Sequence, residues 1–244
     1  MLIDELRGVY FILLKDLRAY YFKPPNISWG ILFPLVLALA FSLRNPEGLV
    51  ELAPGLVAMA AVFGTTSMEA IVITFERRSG ALERLLLAPI SMKSILVGKI
   101  LGGTVFGLVI SGVMTLIAVA FFRMSVENPI CYLISLILTS LTLSALGSLI
   151  AVSVKEVFEA QTLSNYFRFP MIFLCGVFIP VKTMPTPLQA IAYFLPLTYS
   201  INSLKAAITD TLDIQWVLIN LSVLSLFLFG FLIVSNIQLR RSLK

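Results

Sequence analysis

Residues 75–89, FERRSGALERLLLAP, form a short charged segment between two long apolar runs. The segment holds three arginines and two glutamates, and no comparable charged run occurs elsewhere in the interior of the chain. If the flanking runs cross a bilayer, this segment is the tip of a hairpin between two spans. The function of the chain then depends on what the tip contacts.

The composition is that of a helical integral membrane protein. Of 244 residues, 59% are hydrophobic and 13% are charged, and the mean hydropathy is +0.98. Soluble domains have about half apolar and about a quarter charged residues. Here the apolar residues form long blocks, near or above the roughly 20 residues that cross the hydrocarbon core as a helix. The strands of a membrane barrel would be shorter and alternating, which disfavours a barrel.

The sequence contains no catalytic or metal-binding constellation. Histidine is absent, which removes the commonest metal ligand and excludes a Ser-His triad. Cys131 and Cys175 lie in apolar runs and are expected to pack as small hydrophobic residues. No GxxxxGK[ST] phosphate-binding loop is present, so the chain is not expected to hydrolyse ATP by itself. We therefore expect neither enzyme activity nor a metal or cofactor in this chain.

The apolar segments predict an all-α membrane protein with six transmembrane helices, at about 27–43, 52–75, 95–122, 130–154, 161–179 and 214–237. Residues 1–25 carry apolar side chains at helical spacing opposite their charges, which predicts an amphipathic helix in the membrane interface. Residues 180–213 contain four prolines and an apolar piece too short to cross, so we expect a re-entrant or surface-lying hairpin there. Residues 1–244 then form a single transmembrane domain.

The distribution of basic residues predicts the orientation. Six spans place both termini on one side, together with residues 76–92 and the turn at Lys155. That side holds thirteen of the eighteen lysines and arginines, the other side holds four, and Arg168 falls within a span. By the positive-inside rule both termini are cytoplasmic and residues 180–213 face outward. The same rule explains the net charge of +5, so we expect no nucleic-acid partner.

Glu69 and Arg168 are the main ionisable residues within the predicted spans. Each lies about two helical turns from the cytoplasmic end of its span, or roughly 10 Å inside. Opposite charges at matching depth are placed to form an ion pair, which would lower the cost of burying each. Alternatively, either side chain reaches the headgroups or faces a wet cavity, and the sequence favours neither interpretation.

The third predicted span carries small residues at four-residue spacing, which predict close helix packing: Gly98, Gly102, Gly103, Gly107 and Ser111.

The charged segment is expected to form a short amphipathic helix. Its apolar face consists of Ala81, Leu82, Leu85 and Leu86, with charged residues around it. Gly80 lets the chain bend and Pro89 ends the helix. A short helix held between two spans is suited to docking in a groove of a partner, whose movement it would transmit to the spans.

Two stretches resemble a known family. ERRSGALERLLLAPIS at 76–91, followed by ILVGK at 95–99, resembles the first cytoplasmic loop of the ABC transporter type-2 permease family. FRFPMIFLCGVFIPVKTMPTPLQAIAYFLPLTYSINSLKAAI at 167–208 resembles the fifth span, external hairpin and PLTY segment of that family. The resemblance covers nearly the whole chain.

The resemblance implies a permease that dimerises, contacts membrane lipid and binds two separate ATPase subunits, which hold ATP and Mg²⁺. It also implies that residues 76–86 form the main coupling helix, with the N-terminal helix beside it. The implied ATPase-coupling residues are Glu76, Arg77, Arg78, Gly80, Leu82, Glu83, Arg84 and Leu85, with Lys155 and Glu156 in a second, smaller contact. Spans two and five flank the transport path in the family, which implies the lining candidates Thr65, Thr66, Glu69, Asn165, Arg168, Phe169 and Phe173. Helix packing alone would also explain most of the lining candidates.

The expected function is therefore that of the membrane subunit of an ABC exporter in the cytoplasmic membrane, as a homodimer. Scarce polar residues in spans two and five favour an amphipathic or lipid-like substrate. One alternative is a stand-alone secondary transporter or channel, for which the intramembrane charges are few. Another is a membrane assembly scaffold that moves no substrate.

Overall fold

The structure, a computed structural model, describes residues 2–43, 48–88, 90–209 and 213–242. Pro89 and Lys244 lie outside these ranges, as do residues 44–47 of the first predicted loop and residues 210–212 of the hairpin region. The side chain of Leu86, predicted on the apolar face of the charged hairpin, also lies outside the described part.

All regular elements in the described ranges are helical. The helices are α1 Leu2–Asp16, α2 Pro24–Ser42, α3 Leu49–Arg78, α4 Ala81–Leu86, α5 Met92–Phe122, α6 Pro129–Ser153, α7 Val157–Leu174, α8 Thr186–Tyr193, α9 Pro196–Ala207 and α10 Ile214–Ser242. A π-helical turn, Leu17–Tyr21, extends α1, and a 3₁₀ turn, Val181–Thr183, precedes α8.

Five helices in the described part are long and apolar enough to cross a membrane: α2, α3, α5, α6 and α10. They coincide with five of the six predicted spans. The remaining prediction, a span at 161–179, falls on α7, which begins earlier, ends at Leu174 and carries Glu159 and Arg168. Because α7 is shorter and more polar than the other five helices, its length and composition do not mark it as a span.

Helix α3 lies at the centre of the bundle, and its residues 53–67 are all buried. It packs against α2, α5, α6 and α7. The small-residue stripe of α5 makes this packing close, since a methyl group at Gly107 would collide with Thr65, and one at Gly103 with Glu69. The prediction that the stripe serves helix packing is confirmed.

Helix α1 lies along α5, with Ile12 against Gly98. The predicted apolar face of residues 1–25 divides into two parts. Leu17 and Tyr21 are buried in the bundle, whereas Ile3 and Leu6 are exposed. An exposed apolar patch of this kind suits a helix at a membrane interface, although that placement remains a prediction.

The region 180–213 contains two short helices, α8 and α9, separated by Phe194 and Leu195. Helix α9 packs against α6 and α10, and its residue Ala207 accepts a hydrogen bond from the Asn128 backbone N at 3.0 Å. A helical hairpin is therefore present, and its position relative to the membrane remains a prediction.

Candidate functional site

The charged hairpin consists of the end of α3, a turn at Gly80 and the six-residue helix α4. Gly80 has φ +71°, a left-handed conformation that glycine adopts without strain and that turns the chain sharply between the two helices. The prediction of one helix over 76–86 is wrong in this respect. Glu76, Arg77 and Arg78 continue α3 because no helix-breaking residue precedes Gly80.

The apolar face of α4 packs on its own chain. Leu82 is 4% exposed and clusters with Ile12 of α1 and Ile95 of α5, and Leu85 lies beside them. Glu83 and Arg84 are exposed on the other side. The surface that α4 offers to a partner is therefore polar, while Leu82 and Leu85 hold the helix on the bundle.

Helix α1 is tied to the other end of this hairpin. Both carboxylate oxygens of Glu5 accept hydrogen bonds from Ser91, from its backbone N at 2.9 and 3.1 Å and from its Oγ at 3.0 Å. Hydrogen bonds from Ser94 and Ser91 hold the pKa of Glu5 below its usual range. Ser91 caps α5, so one carboxylate secures the N-terminal helix to the start of α5.

A buried ionic cluster joins α1, α3 and α5 directly behind the hairpin. Lys99 Nζ lies 3.1 Å from Asp16 Oδ2 and also forms an ion pair with Glu76. Lys15, whose side chain is partly exposed, forms ion pairs with the same two carboxylates, Asp16 and Glu76. We call these four residues the ionic cluster; its two positive and two negative groups balance.

The environment of the ionic cluster has little water. Asp16 and Glu76 are fully buried, and Lys99 is 2% exposed. Burial opposes the charged form of Lys15, but the carboxylates of Asp16 and Glu76 outweigh this effect and raise the pKa of Lys15. Glu76, which was assigned to the ATPase-coupling surface, therefore faces the bundle interior in this structure, and its role in coupling remains a prediction.

Arg77 and Arg78 connect the hairpin to the second predicted contact. The Arg78 guanidinium forms an ion pair with Glu156, and Arg77 donates to the Val154 carbonyl. Lys155 and Glu156 are exposed, and Glu156 caps α7. The structure thus brings the two predicted coupling segments, 76–86 and the Lys155 turn, to one end of the bundle.

Two exposed apolar side chains at this end were not anticipated from the sequence. Leu87, just after α4, and Phe158, in the first turn of α7, are each 88% exposed. Each lies in a stretch of mixed polar and apolar residues, and such a pattern is equally typical of a helix that buries its apolar face. The exposed surface formed by α4, Leu87, the Lys155 turn and Phe158 is called the hairpin surface below.

The predicted pair of Glu69 with Arg168 does not form. Glu69 accepts a hydrogen bond from the Tyr21 hydroxyl, and a methyl group at either Gly103 or Gly147 would collide with Glu69. Arg168 instead lies over the Phe63 ring, 4.2 Å from its centroid. Phe63 and Glu69 are six residues apart, which places them about 120° apart around α3. Matching depth therefore did not bring the two charges together.

The lining candidates divide between two environments. Thr65, Thr66 and Glu69 are buried between α3, α5 and α6, so they line no open surface of the chain in this conformation. Phe169 and Phe173 on α7 are exposed, Asn165 is half-buried, and Arg168 is buried and lines a cavity. Of the lining candidates, Phe169 and Phe173 alone are exposed, and whether any of these residues lines a path remains a prediction.

Replacing Tyr21 with phenylalanine is expected to lower stability by about 1–3 kcal/mol, because the other oxygen of the Glu69 carboxyl also lacks a hydrogen-bond partner in the described part. Thermal unfolding of the purified protein measures the effect, with the exposed Tyr10→Phe as a control.

The double exchange Glu69→Arg with Arg168→Glu should be no more stable than either single change, as measured by the same thermal unfolding. Recovery in the double variant would show that the two residues pair after all.

The fold and this site define a multi-pass helical membrane protein with a rigidly held charged hairpin at one end. The chain belongs to the ABC-2 type transporter family, whose family model matches residues 7–209. The matched region includes the ionic cluster, the hairpin and α7. A member of this family is a transport permease and not itself an enzyme.

Relatives with assigned names point the same way. The inner membrane transport permease YadH of Escherichia coli is 25% identical over 193 residues, 78% of this chain and 75% of that protein. The linearmycin resistance permease protein LnrN of Bacillus subtilis is 28% identical over 149 residues, 59% of this chain and 39% of its own. The probable multidrug ABC transporter permease YbhR of Escherichia coli is 24% identical over 166 residues, which are 67% of this chain and 45% of that protein. This chain is accordingly a permease of the ABC transporter class, a multi-pass protein of the cell membrane.

Proposed function

We propose that this chain couples ATP hydrolysis by separate ATPase subunits to export of a substrate across the cytoplasmic membrane. The observation that carries the proposal is the hairpin surface, which is exposed and yet fixed to three long helices. Leu82 anchors α4 on α1 and α5, while Gly80 joins α4 directly to the end of the central helix α3. Because α4 is packed on these helices and not held by a flexible loop, movement of a bound partner would displace the helices themselves.

The ionic cluster provides the route from the hairpin into the bundle. Glu76 lies four residues before Gly80, and through Lys99 and Asp16 it links α3 to α5 and α1. Farther along, Tyr21 connects the π-helical turn to Glu69 in the same central helix. Displacement of α4 by a partner would therefore move α1, α3 and α5 together.

The complete transporter in this proposal has two permease copies and two ATPase subunits, and the ATPases bind ATP and Mg²⁺. Helix α7 supplies the sixth crossing, since its 18 residues span about 27 Å, close to the hydrocarbon thickness. Both termini and the hairpin surface are then cytoplasmic, and residues 180–213 face outward. The exposed aromatic residues of α7, Phe169 and Phe173, lie on a face available to the second copy or to the transport path.

The proposal is tested by capture of the ATPase from gently solubilised membranes. Replacing Glu83 and Arg84 together with alanine should lower capture about tenfold, since charges at an interface set association and register. Because both side chains are exposed, membrane insertion and thermal stability should be unchanged. Lys182→Ala, an exposed charge in the 3₁₀ turn before α8, is the matched control and should capture as wild type does.

Two results would contradict this function. If the wild type captures no ATPase, the chain acts as a stand-alone transporter or channel. If the ATPase is captured but a reconstituted complex moves no substrate from a panel of amphiphiles, an assembly scaffold is the better description. Equal capture by the Glu83 and Arg84 variant and the wild type would relocate the docking surface away from α4.

A further inference from the structure

A cavity of about 440 Å³ lies between the first turns of α2, the middle of α3 and the segment of α7 from Gln161 to Arg168. This volume is within the range of small-ligand sites. Its walls are mainly apolar and aromatic, with Trp29 and Phe63 among them. Trp29 is 60% exposed and lies at the rim, whereas Arg168 is 3% exposed and lies at the base.

Two polar groups that line the cavity have no hydrogen-bond partner among the described residues. They are the Nε of Arg168 and the Oγ of Ser67, both in buried side chains. Ser67 lies one helical turn after Phe63 on α3, so its hydroxyl faces the same space as the ring that Arg168 covers. Buried polar groups in native proteins are almost always satisfied. Two unsatisfied donors at one cavity indicate a bound acceptor.

The amide nitrogens of the two other polar side chains at the cavity are occupied. The Asn26 amide donates to the Tyr20 carbonyl at 2.8 Å, and the Gln161 amide donates to Asn165 Oδ1 at 3.3 Å. Asn165 Oδ1 also lies 3.5 Å from Arg168 Nη1, at the limit of a hydrogen bond. These contacts leave Arg168 Nε and Ser67 Oγ as the buried donors at the cavity without a partner in the described ranges.

The charge of Arg168 is not balanced by the chain. Arg168 forms no ion pair with any residue in the described ranges, and no carboxylate lines the cavity. Stacking on Phe63 offsets part of the cost of burial but supplies no negative charge. An arginine buried at membrane depth without an anion is costly, and guanidinium groups match oxyanions in geometry.

We propose that this cavity binds the phosphate group of an acidic membrane amphiphile. Arg168 and Ser67 donate to the phosphate oxygens, and the acyl chain leaves past Trp29 along the apolar rim. The ligand comes from the bilayer, because the rim is apolar and Trp29 is exposed there. This inference rests on the proposed function for its link to transport, in which it identifies the substrate class as lipids with a net negative, phosphate-bearing headgroup.

The test uses the fluorescence of Trp29 in the full chain reconstituted into vesicles. The chain has two tryptophans, so Trp216→Phe leaves Trp29 as the reporter. Vesicles of phosphatidylcholine contain either dibrominated phosphatidylglycerol or, at the same fraction, dibrominated phosphatidylcholine. Bromine quenches a nearby indole, so we expect stronger quenching by the anionic lipid. Arg168→Gln should lower the apparent affinity for that lipid about tenfold, as loss of a charge-assisted hydrogen bond does.

Matched variants separate the cavity from general attraction to negative membranes. Lys23→Gln removes an exposed positive charge just before α2 and should retain the preference for phosphatidylglycerol. Arg168→Lys keeps the charge and should retain part of the preference, which also controls for misfolding of Arg168→Gln. Ser67→Ala should weaken binding by a smaller factor than Arg168→Gln.

Three outcomes would overturn the proposal. Equal quenching by the two brominated lipids in the wild type would show that the cavity does not select a phosphate-bearing anionic headgroup. An equal loss in Lys23→Gln and Arg168→Gln would assign the preference to surface charge. Displacement of the brominated phosphatidylglycerol by inorganic phosphate in the buffer would make the ligand an aqueous anion. None of these measurements involves an ATPase, so they fail or succeed independently of the capture experiment.

Discussion

Replacing Lys99 with methionine is expected to lower the free energy of unfolding by about 3–5 kcal/mol, the usual effect of removing one partner from a buried ion pair. Lys99 is 2% exposed and contacts both buried carboxylates of the ionic cluster, Asp16 and Glu76. Its removal leaves two negative charges and one positive charge, Lys15, in a site that water barely reaches. Methionine has a similar volume, so the effect reports charge and not packing. Thermal and denaturant unfolding of the purified protein measure it.

Two further variants show whether charge balance is the cause. Lys15→Met removes the same charge from a side chain that is 39% exposed, so it should destabilise the protein much less. The double variant Lys99→Met with Glu76→Gln leaves one positive and one negative charge, and it should recover part of the lost stability. If the double variant is less stable than Lys99→Met alone, the ionic cluster does not stabilise through charge balance.

The same variants also bear on function. If the ionic cluster transmits movement from α4, the balanced double variant should fold and still capture the ATPase, but it should show weaker stimulation of ATP hydrolysis by substrate. Stimulation equal to that of wild type would mean that the cluster holds α1 in place without taking part in transmission.

Replacing Gly147 with alanine is expected to lower the free energy of unfolding by about 1–3 kcal/mol, the usual effect of overpacking a tight interface. The loss should be at the upper end of this range or beyond it, because the added methyl group meets backbone, which cannot move aside as a flexible side chain can. A Cβ atom at Gly147 would lie 2.5 Å from the Thr66 carbonyl oxygen and 2.8 Å from the Glu69 Cβ. Neither atom moves without shifting the central helix α3 against α6. The loss should appear as a lower unfolding temperature and a lower yield of folded protein in detergent.

Gly112 and Gly230 provide matched controls for this change. A Cβ atom at either position meets nothing within 4 Å. Gly112→Ala and Gly230→Ala should therefore be neutral or slightly stabilising, since alanine favours the helix over glycine by about 1 kcal/mol. If Gly147→Ala were as harmless as these two, the close contact of α6 with α3 would not be present in the membrane.

Much of the fold follows from local pattern. Five predicted spans coincide with long apolar helices. They could be predicted because a membrane span is recognised from the number of consecutive apolar residues, which is a local property of the sequence. The turn at Gly80 was predicted for the same reason, since only glycine adopts its backbone conformation without strain. The span at 161–179 was less well predicted, because the helix begins earlier, at Val157, carries Arg168 and several uncharged polar residues, and ends early at Leu174.

The candidate site was predicted only in outline. The hairpin surface was expected at Glu83, Arg84 and the Lys155 turn, and these residues are exposed at one end of the bundle. Glu76 was placed on that surface by the family resemblance, yet its side chain is buried in the bundle. A lysine within an apolar run, Lys99, was the available signal for a buried pair, and the sequence does not name its partners.

The membrane class, the family resemblance, five candidate spans and the charged hairpin could be predicted from the sequence, because each depends on residues close together in the chain. The partner of each buried charge could not, because it depends on contacts between helices that are distant in the chain. Lys99 meets Asp16 across 83 positions, Glu69 meets Tyr21 across 48, and Arg168 meets no carboxylate in the described part of the chain. The depth of a charged residue in the membrane can be predicted from its position within a span. The direction in which its side chain points depends on the rotation of the helix about its axis, which is set by packing against the other helices. That direction decides which residue it contacts.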